Sequence, residues 1–229
     1  MISRFGLVKR KPGLDGDAFL AHWRNVHGPL AAKLPGLRAY YQHRIEDSRQ
    51  FGVDHPRGAW DLDGFSELQF DSVDAMKAAL MSPEFGPTVE DVGKFLDSVR
   101  LVVCEKNVVI PLVAGEGPIV KRMSLLKRHA HVSPEEFKRE WFERHAAFVS
   151  KWPGVLGYTQ NLVIDRYSAM AETAGYDAVP VDGIVEFWFR SKDDVAALFK
   201  TEQVAETQAH AHTFIGEITT YFVETAKIA

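Results

Sequence analysis

The strongest constraint on the fold of this chain is an internal duplication. When the sequence is shifted by 118 residues, residues 7–42 align with residues 125–160 without a gap, and 11 of the 36 aligned positions are identical. The identical pairs are Leu7/Leu125, Lys9/Lys127, Arg10/Arg128, Phe19/Phe137, Trp23/Trp141, His27/His145, Lys33/Lys151, Pro35/Pro153, Gly36/Gly154, Tyr40/Tyr158 and Gln42/Gln160. The two halves of the chain are therefore expected to share one fold.

The duplication continues beyond one extra loop residue, where the offset becomes 119. The matching positions there are Asp63-Gly64 with Asp182-Gly183, Glu67 with Glu186, Phe70 with Phe189, Phe95 with Phe214 and Glu105 with Glu224. Residues 111–118 read Pro-Leu-Val-Ala-Gly-Glu-Gly-Pro and have no hydrophobic periodicity, which is typical of a connector. We expect two domains, residues 1–111 and 119–229.

Each half predicts the element order β-α-β-β-α-β. The run Ser133-Pro134-Glu135-Glu136 is a capping box that starts a helix, and Asp15 takes the same place in the first half. The helical spacing of Phe19 and Trp23 predicts that one face of this helix packs on a sheet. The predicted strands are residues 2–10, 37–46, 64–70 and 99–107 in the first half, and 120–128, 155–164, 183–189 and 218–225 in the second.

This element order is the ferredoxin-like unit, an α+β arrangement whose helices cover one face of a four-stranded antiparallel sheet. The other face needs a cover, and a second copy of the same sheet supplies it. We therefore expect two ferredoxin-like repeats whose sheets face each other as an intrachain dimeric α+β barrel around a lumen. A single chain would complete this barrel, although a further homodimer remains an expected assembly.

Charge and hydropathy exclude several partners. The net charge is -4, and 27 Lys and Arg are interleaved with 31 Asp and Glu, which argues against nucleic acid and anionic membranes. No apolar run approaches the roughly 18 to 20 residues of a membrane span, and the N-terminus has no secretory leader pattern, so we expect a cytoplasmic protein. The only cysteine, Cys104, is expected in a strand core.

The spaced residues of the first helix and turn carry a family resemblance. The run Phe19-x-x-x-Trp23-x-x-x-His27-Gly28-Pro29-Leu30, followed by Leu34-Pro35-Gly36-Leu37-x-x-Tyr40, resembles the EthD domain of the dimeric α/β-barrel superfamily. The run Phe137-x-x-x-Trp141-x-x-x-His145, followed by Trp152-Pro153-Gly154-x-x-x-Tyr158, is a second copy, with Ala146-Ala147 in place of Gly-Pro. The resemblance covers nearly the whole chain.

The resemblance implies acid/base chemistry on small oxygenated rings without a cofactor. By analogy with a methylmuconolactone isomerase, it implies that His27 and Tyr40, and in the second copy His145 and Tyr158, face the lumen and act on substrate. Imidazole is the commonest general acid or base near neutral pH. The alternative for His27 is a half-buried histidine satisfied by a backbone carbonyl. His22, 140° away on an ideal α-helix, is expected to be exposed to solvent.

Two strand carboxylates are further candidates. Strand alternation places the all-apolar faces under the helices and leaves Glu67 and Glu186 facing the lumen. Partial desolvation is expected to raise their pKa values and prepare them for proton transfer. The alternative is a buried ion pair with Arg4, Arg44 or Arg122. Both readings stay open at this point.

The remaining candidates bind substrate. Gln42 and Gln160 share a strand face with the two tyrosines and can orient a carbonyl. Trp23, Trp60, Trp141 and Trp188 are the other predicted substrate contacts. Loops 47–62 and 165–181, which carry His55, Trp60, Tyr167, Met170 and Tyr176, are long enough to act as lids, with a surface flap as the alternative.

Metal and nucleotide motifs are absent from the sequence. His129-x-His131 and His210-x-His212 have no third ligand at metal spacing, and there is no GxGxxG, P-loop or GxSxG motif. We expect no metal and no cofactor. The leading hypothesis is a cofactor-independent lyase, dehydratase or isomerase of a small oxygenated aromatic, lactone or polyketide-like compound. The alternatives are a ligand carrier or accessory protein of a monooxygenase system, and a haem- or oxygen-using barrel enzyme.

Overall fold

The computed structural model describes residues 1–113, 115–168 and 172–229. Met170, expected in the second lid, lies outside these residues. The eight strands are β1 Ile2–Arg10, β2 Ala39–Asp47, β3 Gly64–Phe70, β4 Leu96–Ile110, β5 Val120–Arg128, β6 Gly157–Tyr167, β7 Gly183–Phe189 and β8 Ile215–Lys227. The bounds of the first and third strand of each repeat match the prediction, whereas the fourth strands are longer because they also pair with the other repeat.

The strands form one closed antiparallel barrel in the order β1-β3-β2-β8-β5-β7-β6-β4. The two repeats are joined where β2 pairs with β8 and where β4 pairs with β6. The α+β class and the intrachain dimeric barrel predicted from the duplication are confirmed. Closure leaves no unpaired sheet edge among the described strands.

The helices lie outside the barrel. They are α1 Gly16–His22, α2 Gly28–Ala31, α3 Val73–Leu80 and α4 Phe85–Phe95 in repeat 1, and α5 Pro134–Arg139, α6 Ala146–Val149, α7 Lys192–Leu198 and α8 Glu202–Ala211 in repeat 2. The predicted caps hold, since Asp15 accepts backbone N–H bonds at the start of α1 and Ser133 does so at α5.

A π-helical segment interrupts the first helix of each repeat, at Trp23–His27 and at Glu140–His145. The Gly28 N–H donates to the Trp23 carbonyl five residues earlier. Gln42 Nε2 donates to the same carbonyl at 2.8 Å, and Gln160 makes the matching bond to the Trp141 carbonyl at 2.6 Å. Such single π turns are rare and occur often at functional sites.

In each repeat, the tryptophan of the π-helical segment packs on a glycine of the third strand. A Cβ on Gly64 would lie 2.7 Å from the Trp23 ring, and a Cβ on Gly183 would collide with the Trp141 ring. The benzene ring of each tryptophan therefore packs directly on the backbone of the third strand. This close approach explains why a glycine recurs at this position in both repeats.

Side chains fill the interior of the barrel. Apolar side chains from both repeats pack there, among them Phe5, Phe65, Met123, Ile184 and Tyr221. Cys104 belongs to this cluster and is fully buried, as expected for a strand core residue. No helix in the described part of the chain has the length and apolar character that a membrane crossing requires.

The long loop after β2 crosses to the other repeat. Phe51 packs against the repeat-2 core, and Gln50 Nε2 donates to the Ile218 carbonyl at 2.8 Å. At the end of β6, Tyr167 packs against the repeat-1 core. Each repeat is thus partly covered by a segment of the other.

Candidate functional site

Two cavities lie between the helices and the outer face of the sheet, one in each repeat. Cavity 1 holds about 460 Å³ of space, its mouth included, and its polar lining is Arg4, His27, Tyr40, Ser66 and Thr88. Cavity 2 holds about 530 Å³, and it is lined at the equivalent positions by Arg122, His145, Tyr158 and Thr207. These figures include open solvent at the mouths; the enclosed part is about 40 Å³ in cavity 1 and about 60 Å³ in cavity 2, so both cavities are narrow.

In cavity 1, Asp91 of α4 fixes the ring of His27. His27 Nδ1 lies 3.1 Å from Asp91 Oδ2, and His22 Nε2 lies 3.0 Å from Asp91 Oδ1. Because an ionised carboxylate only accepts hydrogen bonds, Nδ1 of a neutral His27 carries the proton and Nε2 keeps its lone pair. A carboxylate and an imidazole so arranged form a base that is oriented for proton transfer.

The prediction that His22 is exposed was wrong. Its side chain is 27% exposed and bonds to Asp91, whose side chain is fully buried. The 140° separation from His27 holds for an ideal α-helix, whereas the π turn aligns residues five apart. Both imidazoles therefore lie on the side that faces α4.

The pKa values follow from burial and these contacts. Burial lowers the pKa of His27, and the Asp91 bond and charge oppose that shift. Burial alone would raise the pKa of Asp91, but the bonds and charges of His22 and His27 outweigh it and lower the pKa of this carboxyl. Burial also raises the pKa of Tyr40 to about 12 and lowers the pKa of Arg4 to about 10, so the phenol stays protonated and the guanidinium stays charged at neutral pH.

Cavity 2 repeats this arrangement with the acid and the histidine exchanged. His145 Nδ1 lies 3.4 Å from His210 Nδ1, and His210 Nε2 lies 3.3 Å from Glu140 Oε2. His210 takes the place of Asp91, and Glu140 takes the place of His22. Because the carboxylate is one imidazole further away, burial and the nearby His210 and His55 lower the pKa of His145 to about 3.

Arg122 is the other distinctive group of cavity 2. It is 2% exposed, and its Nε and Nη1 have no hydrogen-bond partner among the described residues, while Nη2 donates weakly to the Gln50 carbonyl at 3.4 Å. The guanidinium lies 4.6 Å from the ring centre of Phe199. Buried donors without acceptors are costly, so an anionic or oxygen-rich ligand group fits here.

The wall of cavity 2 is aromatic. Tyr158 stacks on Phe187 with ring centres 4.5 Å apart, and Trp152 stacks on Phe187 at 5.6 Å. Among the lining residues that the structure describes, Arg122 is the one permanent cation for two propionates, and large rings form the wall, so these residues do not fit a haem. They fit a small flat ring system better.

The lumen holds a separate polar network around Glu67. Its carboxylate accepts from Ser3 Oγ at 3.0 Å and from Lys106 Nζ at 2.9 Å, and it lies 3.2 Å from His43 Nε2. Burial would raise its pKa, but His43, Lys106 and Lys121 together hold the pKa well below its usual value. The expected rise in the pKa of Glu67 is therefore corrected.

Both carboxylates form buried ion pairs, as the alternative interpretation expected, but their partners are lysines rather than Arg4, Arg44 or Arg122. Glu186 pairs with Lys121 at 2.5 Å and accepts from Asn161 at 2.7 Å. Arg4 and Arg122 point to the opposite face of their strands, where they line the cavities. Arg44 pairs with Glu224 outside the lumen.

The predicted lumen position of the histidines, tyrosines and glutamines was wrong. His27 and His145 lie on the helical segments outside the barrel, and Tyr40, Gln42, Tyr158 and Gln160 lie on the helix side of the sheet. The amide of each glutamine donates to the phenol oxygen of its tyrosine, at 2.9 and 2.8 Å. The tyrosines line the cavities beside the histidines, so the structure brings each predicted His and Tyr together and leaves Glu67 and Glu186 apart.

Of the four tryptophans predicted to contact substrate, two line the cavities and two do not. Trp23 and Trp141 are buried in the walls of cavities 1 and 2, and the indole nitrogen of Trp141 has no hydrogen-bond partner among the residues described. Trp188 lies under Lys121, 4.8 Å from its ammonium. Trp60 packs against the lumen cluster, and its carbonyl accepts from Tyr221 Oη. Neither of the last two lines cavity 1 or cavity 2.

Asp91 and His210 orient the cavity histidines, but the sequence analysis did not include Asp91 and considered His210 only as a metal ligand. The two residues align at the offset of 119, but an Asp opposite a His is not an identity and so does not stand out in the duplication. The predicted lid residue His55 lies instead in the wall of cavity 2, contributed by the other repeat.

The comparisons with known proteins agree with this architecture. The EthD domain model matches residues 11–98 and 129–217, one match in each repeat. The chain belongs to the EthD domain family. The comparison of this EthD-domain protein with curated protein sequences gave no match.

Solved structures share the fold of this EthD-domain protein at low identity. An anthrone oxidase-like protein is 14% identical, with 100% of this chain and 93% of that chain covered and a TM-score of 0.65. A mutant chlorite dismutase from Candidatus Nitrospira defluvii is 12% identical, with 97% and 91% covered and a TM-score of 0.52. A dye-decolorizing peroxidase from Bacteroides thetaiotaomicron is 9% identical, with 97% and 92% covered and a TM-score of 0.50. These likenesses show the dimeric α+β barrel fold.

Proposed function

We propose that this EthD-domain protein is a cofactor-independent acid/base enzyme, a lyase, dehydratase or isomerase that acts on a small oxygenated aromatic, lactone or polyketide-like compound. The observation that carries the proposal is the Asp91-oriented His27 in a cavity that also contains Arg4 and Tyr40. These three side chains supply a base and two oxyanion donors on one buried surface.

The reaction starts with proton abstraction. His27 Nε2 accepts a proton from an acidic carbon conjugated with a carbonyl group, and the C–H electron pair moves to the carbonyl oxygen. The Tyr40 hydroxyl and the Arg4 guanidinium stabilise the resulting enolate, and Asp91 stabilises the imidazolium. Positioned proton transfer of this kind contributes about 10² to 10⁴-fold. Return of the proton to another carbon gives an isomer, and loss of a neighbouring group gives a lyase product.

The two cavities differ in base strength and in shape. Asp91 contacts His27 directly, whereas Glu140 reaches His145 only through His210. His27 is therefore the stronger base, and we assign proton transfer to cavity 1. Cavity 2, with Arg122 and its aromatic wall, binds the anionic form of the same class of ligand.

A second candidate is a cofactor-free oxidase. It is favoured by the anthrone oxidase-like protein that shares the fold over the whole chain. The enolate formed by His27 can react with O₂, so that a CH₂ group becomes a carbonyl and one water leaves for each O₂ consumed. The first step is the same in both candidates, and the fate of the enolate separates them.

The test uses anthrone, which has an acidic CH₂ group conjugated with a carbonyl. Under argon in D₂O we expect the wild-type protein to accelerate deuterium incorporation at that carbon, and His27→Gln to lose about 10²-fold of this rate. His131→Gln, which changes an exposed histidine, is the matched control. In air, uptake of one O₂ for each anthraquinone formed would identify the oxidase.

Two further compounds, 2-naphthol and haemin, test the ligand-carrier and haem-enzyme alternatives. A carrier would be stabilised against heat by 2-naphthol without accelerating exchange, and its affinity would survive His27→Gln. Haemin is included because the resemblance left a haem-using enzyme open, and stoichiometric haem binding would support that reading. Equal exchange rates for wild type and His27→Gln would reject the acid/base proposal.

A further inference from the structure

Two histidines and one aspartate meet where the loop of repeat 1 contacts the last helix of repeat 2. Asp54 and His55 belong to the loop after β2, and His212 is the C-cap of α8. Asp54 Oδ1 lies 3.0 Å from His212 Nε2 and 3.2 Å from His55 Nδ1, and one ligand atom from each residue lies within 4.8 Å of the others. We propose that this cluster binds a first-row divalent transition metal ion of the zinc type.

His55 is the observation that points to a ligand. Its side chain is 1% exposed, and neither ring nitrogen makes a well-formed hydrogen bond to a residue that the structure describes. The Asp54 carboxylate and the Ala211 backbone lie near the ring but interact with it only weakly. A buried imidazole whose nitrogens lack well-formed hydrogen bonds is unfavourable, and a metal ion bound to one of them removes part of that cost.

The backbone around the cluster is already fixed. The Asp54 N–H donates to Gln208 Oε1 at 3.1 Å, which ties the loop to α8. His129 Nε2 donates to the His212 carbonyl at 3.0 Å, which holds the end of that helix. The His55 and His212 rings stack with centres 3.9 Å apart. The His212 and Asp54 side chains are half-exposed and are therefore the parts of the cluster with room to move toward an ion.

The donor set selects the metal class. Two imidazoles and one carboxylate suit zinc, iron and their neighbours, whereas magnesium and calcium prefer oxygen ligands. Three protein ligands leave at least one coordination position for water or a ligand oxygen. Because His55 also lines cavity 2, a bound ion adjoins that cavity.

The site is distinct from the proton-transfer site. His210-x-His212 had no third ligand in its own stretch of sequence, and the missing ligands come from the other repeat across the barrel. His27 lines cavity 1 and is oriented by Asp91, so anthrone exchange should persist in variants that no longer bind the metal. Failure of either proposal therefore leaves the other intact.

The test is a zinc titration of the full chain without an affinity tag, after treatment with a chelator and desalting. By isothermal titration we expect one Zn²⁺ per chain, and with Co²⁺ we expect visible d–d absorption typical of imidazole coordination. Millimolar Mg²⁺ should not compete. His212→Ala and Asp54→Ala change half-exposed side chains and should fold normally.

Each of these variants removes a direct ligand and should weaken Zn²⁺ binding by at least about 100-fold, the upper end of the loss seen for outer partners of metal ligands. His131→Ala, an exposed histidine outside the cluster, should bind like the wild type. The proposal is overturned if no stoichiometric binding occurs, or if the two ligand variants bind Zn²⁺ as tightly as the wild type and His131→Ala.

Discussion

The depressed pKa of His145 makes the stability of the protein depend on pH in a way that a single substitution can isolate. An unfolded histidine titrates near 6.5, whereas burial lowers the pKa of folded His145 to about 3. Between these values the unfolded state binds the proton and the native state does not. Stability is therefore retained above pH 6.5 and falls as the pH drops toward 3.

The magnitude follows from linkage. At pH 5 an unfolded imidazole is almost fully protonated, so neutral His145 costs the native state about 2 kcal/mol relative to pH 8. This figure hardly changes for any folded pKa below about 4, because the native ring is then neutral at pH 5. Burial also lowers the pKa values of His27, His43 and His55, so these residues add to the loss of stability at low pH. The pH dependence of the wild type alone therefore does not isolate the contribution of His145.

The assay compares wild type with His145→Gln by urea unfolding at pH 8 and pH 5. We expect the wild type to lose about 2 kcal/mol more than the variant over this range, which corresponds to about 4 to 8 °C in Tm for a chain of this size. His131→Gln should follow the wild type because that ring is exposed. Parallel pH profiles for wild type and His145→Gln would refute the claim that the native fold keeps His145 neutral.

Three further predictions test packing and charge. Gly183→Ala should lower the free energy of unfolding by about 1 to 3 kcal/mol, because the added methyl group collides with the Trp141 ring. Gly93→Ala is the control: a methyl group there meets open space in α4, so the change should be neutral or stabilising by up to about 1 kcal/mol. Urea unfolding followed by tryptophan fluorescence measures both. Glu67→Ala should cost about 3 to 5 kcal/mol in urea unfolding because it leaves Lys106 buried without its partner, while anthrone exchange by the remaining folded protein should be unchanged, and a loss of exchange with intact stability would contradict this. Arg122→Leu should weaken binding of 2-naphthoate by at least 10-fold or about 1.4 kcal/mol, yet leave the fold as stable or more stable, and unchanged naphthoate affinity by calorimetry would show that Arg122 does not hold the anion.

The fold was predictable because the duplication repeats every structural signal. Trp23 and Trp141, the Pro-Gly turns and the Asp-Gly pairs each occur twice at one spacing, and a βαββαβ unit with one uncovered sheet face has few ways to cover it. The helix caps at Asp15 and Ser133 were also predictable, because capping depends on local sequence.

The candidate site was predictable in its residue types and less so in its geometry. Strand alternation fixes that Tyr40 and Gln42 share a face, but it does not say which face points inward, and the assignment taken from the resemblance was wrong. The π turn moved His22 beside His27, because a helical wheel assumes a constant period. Contacts between the repeats, such as that of His55 with the wall of cavity 2, depend on the path of a long loop. Local sequence patterns do not determine that path.

The most direct test of the account is the rate of deuterium incorporation into anthrone in D₂O under argon, measured for wild type, His27→Gln and His145→Gln at equal folded concentration. We predict that His27→Gln loses about 10²-fold of the enzyme-dependent rate while His145→Gln retains most of it, because of the two cavity histidines only His27 contacts Asp91. Equal rates for wild type and His27→Gln, or a larger loss in His145→Gln, would contradict the assignment of His27 as the base.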